Sequence, residues 1–417
     1  MIRKASRILR QDGALVLRRR AARHVRRRFS RKQGLELPVA LDDVLAVDWR
    51  TAGANDGDDG RILAGPMTIE WLIPPIDRGS GGHRTILRVV ELLEGLGHRC
   101  RLVVYDGRDI QTAAEAAGVI RRHFPAVGAE VLDRRAERDG CDALVATAWQ
   151  TAYPVAVAET EARKFYFVQD YEPSFHPMGT EFLLAEDTYR FGLYGITAGR
   201  WLSEKLSAEF GMPCDHFDFG SDPGCYALAN AGERRKVVFY ARPSTPRRGF
   251  ELGVLALSRF ARMHPEYEIH MVGADVGGYE LPFEFASRGI LTPPQLNELY
   301  NEAAAALVLS LTNMSLLPLE LLAAGCIPVV NEAGSNAGVS DNPFIAYAEP
   351  SPAALAAALS SAVERPDRAE HARRAASSVR ELSWDDAAKK VERLLRGGTG
   401  VGRADRLDHA GAAAPAR

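Results

Sequence analysis

From Met67 onward, short apolar runs alternate with longer amphipathic ones, and that alternation leaves few architectures open. Met67–Ile73, Arg101–Tyr105, Ala143–Thr147, Phe165–Val168 and Tyr194–Thr197 read as strands; Thr85–Leu96, closed by Gly97, and an Ala-rich stretch through Phe124 read as helices. A βα alternation of this kind implies a mainly parallel sheet covered by helices. The pattern breaks at the turn-rich Gly220–Gly224 and then restarts. The second run predicts strands at 236–240, 267–272, 305–310 and 327–331, and helices at 248–263, 294–303, 317–324, 352–364 and 367–381. A chain of 417 residues exceeds one core, so we expect two α/β domains, at 61–222 and 230–383, with ligands at the carboxyl ends of strands. The last helix, Trp384–Leu395 (domain assignment 384–396), is expected to pack back on the first domain, and residues 397–417 to form a disordered tail.

Charge is uneven. Residues 1–33 hold thirteen Lys or Arg against the single acid Asp12, leaving 39 basic and 53 acidic residues in the remainder. An acidic body argues against nucleic acid as a partner. The basic arm, with Leu15, Ala22, Val25 and Phe29 at helical spacing, is read as a helix on an anionic membrane surface, a solvated tail or a transit peptide. The arm and the acidic linker at 50–61 fill residues 1–60 of the domain plan. Uncharged stretches are too short to span a bilayer. Cys100, Cys141, Cys214, Cys225 and Cys326 are scattered, without zinc-ligand spacing, which favours reduced thiols and a cytoplasmic location; the basic arm adds the expectation of a peripheral position at the inner face of the plasma membrane.

Three segments carry chemistry. In ARPSTPRRG, Arg242, Arg247 and Arg248 follow a strand and are expected to open a helix, where positive charge opposes the helix dipole; they read as diphosphate ligands, or as a solvated helix start. In SLTNMSLLPLE, Glu320 sits in the first turn of a helix, as a ribose-hydroxyl acceptor or a structural first-turn acid. The amides of Met314, Ser315 and Leu316 would add phosphate contacts. Gly79-Ser-Gly-Gly82 between a strand and a helix is a close-approach loop for phosphate or sugar, with a dinucleotide loop and a plain turn as rivals. His83 is a hydrogen-bond donor at that helix start or a surface histidine.

The ordering GSGGH, ARPSTPRRG, VGADVGG and SLTNMSLLPLELLAAGCIPVV resembles glycosyltransferase family 4, over about residues 65–395. YFVQDYEPSFHPMG and RFGLYGITAGRWL resemble the branch of rhamnosyltransferases that build bacterial surface glycans from dTDP-rhamnose. The resemblance implies an α/β GT-B fold, two Rossmann-like domains facing across a cleft, and transfer with retention of configuration. By position it implies Gly81, Gly82, Arg242, Arg247 or Arg248, Gly273 and Glu320 as donor ligands. Thr312 stands where the family has the first glutamate of a pair, and Ala148-Trp149 where it often has a histidine. Gln169, Asp170 and Glu172 follow a strand on the expected cleft side: Gln169 toward the donor, and Asp170 as a weak base toward an acceptor hydroxyl or as a turn cap. Tyr153, Tyr171 and Phe175 are candidate sugar-stacking rings, with core packing as the default.

The expected function is transfer of a sugar, L-rhamnose from dTDP-rhamnose, to a glycan or lipid-linked saccharide, with arginines in place of a metal and no further cofactor. A non-catalytic nucleotide- or glycan-binding protein and a sugar-nucleotide epimerase or hydrolase are the alternatives.

Overall fold

A computed structural model of the chain describes residues 35, 37–48, 62–76, 80–105, 107, 110–134, 136, 140–230, 232–314, 316–338 and 340–397. The basic arm, Arg78, Gly79, Ser315 and residues 398–417 lie outside the described residues. Packing divides the molecule into two units: the described residues up to Phe167 with Leu183–Tyr194, and Val168–Phe182 with those from Gly195 on.

The first unit contains α1 (Leu41–Ala46), β1 (Thr68–Ile73), α2 (Gly81–Gly95), β2 (Arg99–Val104), α3 (Ala113–His123), β3 (Glu130–Asp133), β4 (Ala143–Ala146), α4 (Trp149–Val157) and β5 (Arg163–Val168), whose last residue passes into the second unit. Its strands run parallel in the order β3-β2-β1-β4-β5. β1 is buried on both faces from Ile69 to Ile73, which explains its continuous apolar run. The buried Glu70 pairs with its register partner Arg101 at 3.9 Å, so the polar interruption of that run is neutralised internally. Thr112 and Glu115 form a reciprocal cap that starts α3. Asp43 of α1 accepts from the Tyr105 hydroxyl at 2.5 Å, fastening α1 to the end of β2.

The second unit contains β6 (Tyr194–Ala198, whose first residue belongs to the first unit), α6 (Arg200–Phe210), β7 (Cys214–Phe217), β8 (Lys236–Tyr240), α7 (Phe250–Met263), β9 (Glu268–Val272), β10 (Ala286–Gly289), α8 (Pro293–Glu302), β11 (Ala303–Val308), α9 (Leu317–Ala323), β12 (Ile327–Asn331), α10 (Gly334–Ala337), β13 (Ala346–Ala348), α11 (Pro352–Val363), α12 (Arg368–Ser378) and α13 (Trp384–Leu395). A further helix, α5 (Thr180–Asp187), starts in this unit and ends in the first. A six-stranded parallel sheet runs β10-β9-β8-β11-β12-β13. Alternate side chains supply two cores: Val237, Phe239, Ile269, Met271, Ala305, Leu307 and Val329 meet α7 and α11 on one face. Val238, Val272, Ala306, Val308 and Val330 meet α8 and α9 on the other. The order reverses between β8 and β11, so the loops leaving those two strands diverge and open a crevice at their carboxyl ends. The same reversal occurs between β1 and β4 in the first unit.

The closing helix α13 packs against β7, the last strand of the first βα run, and Trp384 meets Phe219 edge-on at 6.1 Å. Several expected boundaries move. The helix after the arginines begins at Phe250, because Gly249 at φ +54° breaks the chain after a 3₁₀ turn at Pro246–Arg248. Ser310, expected at the end of a strand, lies beyond β11, and its amide is taken by the Asn331 side chain. α2 starts four residues earlier than expected, at Gly81, where the Ser80 hydroxyl accepts from the His83 amide.

Candidate functional site

The crevice of the second unit is built from the loops after β8 and β11 and from the segment after β5. Asp170 follows β5 and is only 7 % exposed. Its Oδ1 accepts from the amides of Tyr171 and Asn313, both at 2.8 Å, and its Oδ2 accepts from the Thr312 hydroxyl at 2.9 Å. Arg247 Nε lies 3.7 Å from the same Oδ2, and the Phe175 ring covers the guanidinium carbon at 3.8 Å. Burial pushes the Asp170 carboxyl above the ordinary carboxylate range, against the pull of Arg248 and Arg247. Burial likewise lowers the Arg247 guanidinium, Asp170 opposes that, and Arg248 and Arg242 repel it. Three like charges therefore feel one another at a partly dry site, an arrangement that favours an anionic ligand.

The other two guanidiniums donate to neutral oxygens. Arg248 donates to Ser310 Oγ at 2.7 Å, and that hydroxyl donates onward to the Asn313 carbonyl at 2.7 Å. Arg242 donates to the Gly273 carbonyl at 3.2 Å and lies 5.9 Å from the Tyr240 ring centre. Gly273 has φ +99°, and a Cβ there would stand 2.8 Å from the Tyr240 ring, so backbone and space both require glycine. Arg247 fixes its neighbour loop as well, its carbonyl accepting from Leu311 N at 2.9 Å. Behind these residues Asn331 and Asn336 clamp Ser310: Asn331 Oδ1 accepts from its amide, and both carboxamides donate to its carbonyl, at 2.8 and 3.0 Å. Asn313 Nδ2 reaches the carbonyls of Gln169 and Ala198.

Of the residues read from the sequence, Asp170, Gln169, Arg242, Arg247, Arg248 and Gly273 thus fall into one set of linked loops. Leu316 caps the start of α9 and Glu320 is in its first turn, half-buried, with its charge felt by the buried Tyr300 phenol. Gly81, Gly82 and His83 occupy the first turn of α2 in the first unit; they belong to a helix rather than to a loop preceding one. Arg247 and Arg248 stand in the 3₁₀ turn before α7 and Arg242 in the loop ahead of it, all before the break at Gly249, so opposition to the α7 dipole does not single them out. The stacking candidates are otherwise engaged. Tyr153 is 2 % exposed and donates to the Leu184 carbonyl, Phe175 is covered by Arg247, and Lys205 lies 4.6 Å over Tyr171. Ser310, Asn313, Asn331 and Asn336 escaped the sequence reading; polar residues at the ends of apolar strands were the available signal. Among the described residues no cluster of His, Cys, Asp and Glu is arranged to hold a metal ion.

Comparisons with known proteins give domain patterns, one long relative and several similar folds. The WsaF C-terminal domain pattern matches residues 235–360, which span the loops after β8 and β11; the WsaF N-terminal domain pattern matches residues 133–198, including Asp170. The O-antigen biosynthesis protein RfbC of Myxococcus xanthus is 33% identical over 365 residues, 82% of this chain, and the chain spans only 28% of that protein's length. Among solved structures, Anabaena Alr3699/HepE in complex with UDP-glucose has a TM-score of 0.60 at 14% identity, covering 79% of this chain and 100% of that one. A glycosyltransferase from Rickettsia africae ESF-5 has a TM-score of 0.56 at 13% identity over 81% of this chain and 100% of that one. WaaG, a glycosyltransferase involved in lipopolysaccharide biosynthesis, has a TM-score of 0.55 at 13% identity over 79% of this chain and 100% of its own. The fold, two parallel-sheet α/β units, is that of GT-B glycosyltransferases.

Proposed function

We propose that the chain is a glycosyltransferase of cell-surface glycan synthesis, moving a sugar from a nucleoside diphosphate to a glycan or lipid-linked saccharide. The observation that carries this reading is the trio Arg242, Arg247 and Arg248 at the strand-order reversal of the second unit, with Arg247 desolvated and repelled by the other two. Such a cluster is costly when empty and favourable around a diphosphate, whose oxygens accept several charge-assisted hydrogen bonds. Glu320 would take the ribose hydroxyls and the amides of Met314 and Leu316 the phosphates. The matches to WsaF domains and RfbC support the surface-glycan assignment.

The donor we propose is dTDP-rhamnose, with retention of configuration. The bond from the anomeric carbon to the diphosphate oxygen breaks, the acceptor oxygen bonds to that carbon on the same face, and its proton passes to the departing phosphate. The guanidiniums stabilise the charge that develops on that leaving group, which makes a metal unnecessary. Among the described residues no helix is long and apolar enough to cross a membrane. The basic arm, outside the described residues, is proposed to hold the enzyme on anionic lipid at the cytoplasmic face.

A thermal-shift panel of dTDP, UDP, GDP and ADP on wild type and Arg242→Ala tests the site. Binding at a hundredfold excess over Kd stabilises by about 2.7 kcal/mol. The expected result is the largest shift with dTDP, reduced in the variant; preference for GDP overturns the rhamnose donor, and no shift with any nucleotide overturns the site. Product analysis with and without a saccharide acceptor separates transfer from epimerisation, hydrolysis and mere binding.

A further inference from the structure

We infer that Asp170 is a positioning residue for the nucleoside diphosphate, acting through Arg247 and the Thr312–Asn313 turn, and not the group that receives the acceptor proton. The inference rests on the donor-site reading above and assigns Asp170 a role within it.

A general base must reach its proton at roughly 2.6–3.2 Å with a lone pair to spare. Asp170 is only 7 % exposed and both its oxygens already accept hydrogen bonds, two amides at Oδ1 and the Thr312 hydroxyl at Oδ2, with Arg247 Nε at ion-pair distance, 3.7 Å, from Oδ2. What the carboxylate does is join three stretches far apart in sequence. It fixes the turn after β11 through Thr312 and Asn313, and the Asn313 carboxamide then clasps the Gln169 carbonyl next door. It also faces the inner edge of Arg247 while the Phe175 ring lies against that guanidinium. Held from both sides, Arg247 has a buried Nε with no hydrogen-bond partner among the described residues, so the guanidinium keeps donor capacity for a ligand.

The charged groups around the pair argue the same way. Arg248 and Arg242 repel Arg247, whereas Asp170 and Glu172 attract it. Without the Asp170 charge, the trio loses the carboxylate that fixes its middle member, and repulsion would swing Arg247 outward. Pre-set orientation of a cation is worth most where water is excluded and where a dianion is to be bound.

The experiment is a double-mutant cycle on dTDP affinity by calorimetry, with wild type, Asp170→Asn, Arg247→Ala and the double variant, each first checked for folding by its melting transition. Asp170→Asn keeps shape and removes charge. The expected result is about tenfold weaker dTDP binding, the scale of one charge-assisted contact, shrinking to within about twofold once Arg247 is alanine. In turnover, the donor KM rises while the acid limb of the kcat–pH profile stays in place. Thr312→Val, which removes one donor to the carboxylate and leaves the charge, is the second variant. It weakens dTDP binding less, in the same direction, and again only when Arg247 is present. Equal effects in both Arg247 backgrounds overturn the inference. So does unchanged dTDP affinity with a lost acid limb, which would make Asp170 the proton acceptor. Wild type that binds neither dTDP nor UDP overturns the donor-site reading, and this inference with it.

Discussion

Gly273→Ala tests whether the end of β9 is as constrained as the geometry requires. The residue has φ +99°, and an added methyl would meet the Tyr240 ring at 2.8 and 3.0 Å and the Ala241 carbonyl at 3.3 Å. A side chain in that conformation costs about 1–3 kcal/mol, and overpacking costs a similar about 1–3 kcal/mol. Part of the second cost is relieved if Tyr240, which is only half-buried, tips toward solvent. Together they predict a loss of about 2–4 kcal/mol, and at about 2–4 °C per kcal/mol for a domain of this size the melting midpoint falls by roughly 5–15 °C. Nucleotide affinity should fall as well, because the Gly273 carbonyl accepts from Arg242 and the displaced strand end carries that acceptor with it. The control is Gly278→Ala, a few residues on, where a Cβ meets nothing within 4 Å and φ is not positive. Differential scanning calorimetry of both variants, followed by dTDP titration, reads the two effects. A Gly273→Ala protein that melts with wild type, or a Gly278→Ala protein that is equally damaged, refutes the reasoning.

Burial holds the imidazoles of His216, His270 and His371 below their ordinary value of 6.5, so the folded chain resists protonating them while the unfolded chain does not. The unfolded state binds more protons below that pH, so stability should drop as pH falls from about 6.5 toward 5, and less steeply after His270→Gln and His371→Gln, read as midpoint against pH. EDTA should leave glycosyl transfer intact, and strong Mg²⁺ dependence in an initial-rate assay would contradict the arginine-only diphosphate site. Co-sedimentation with anionic liposomes should require residues 1–33, each basic residue near the headgroups contributing about 1 kcal/mol; equal sedimentation of full-length and truncated protein would remove the membrane role.

Where side-chain pattern and structure share a cause, the elements were readable. The strand Ile327–Asn331 and the helix Trp384–Leu395 match residue for residue: one is an apolar run closed by a polar residue, the other a strongly two-faced segment opened by Ser383. The short edge strands β3, β7, β10 and β13 were missed because they hold few fully buried residues and so lack the apolar signature. α4 was missed for the opposite reason: WQTAYPVAV is apolar on nearly all sides and contains Pro154, leaving no helical period. In the site, arginines and glycines announced themselves by residue type. Their partners did not, because Asp170 meets Thr312 across 142 positions, and only the packed chain brings a carboxylate to that turn.

The site also explains a division of labour among its anchors. Ordinary stability would favour a carboxylate for each buried guanidinium, since an unpaired charge in a dry place is heavily penalised. Here Arg242 donates to a carbonyl and Arg248 to a hydroxyl, while the Asp170 carboxylate lies against Arg247 and its charge also reaches Arg248. Neutral oxygens orient a cation without cancelling it, so the trio keeps a positive surplus that a diphosphate can neutralise. More carboxylates would steady the empty protein and weaken its hold on an anion; fewer would let the middle arginine drift. Asp170 sits at the balance between those two failures, and that is why its charge, rather than its basicity, is the quantity to perturb.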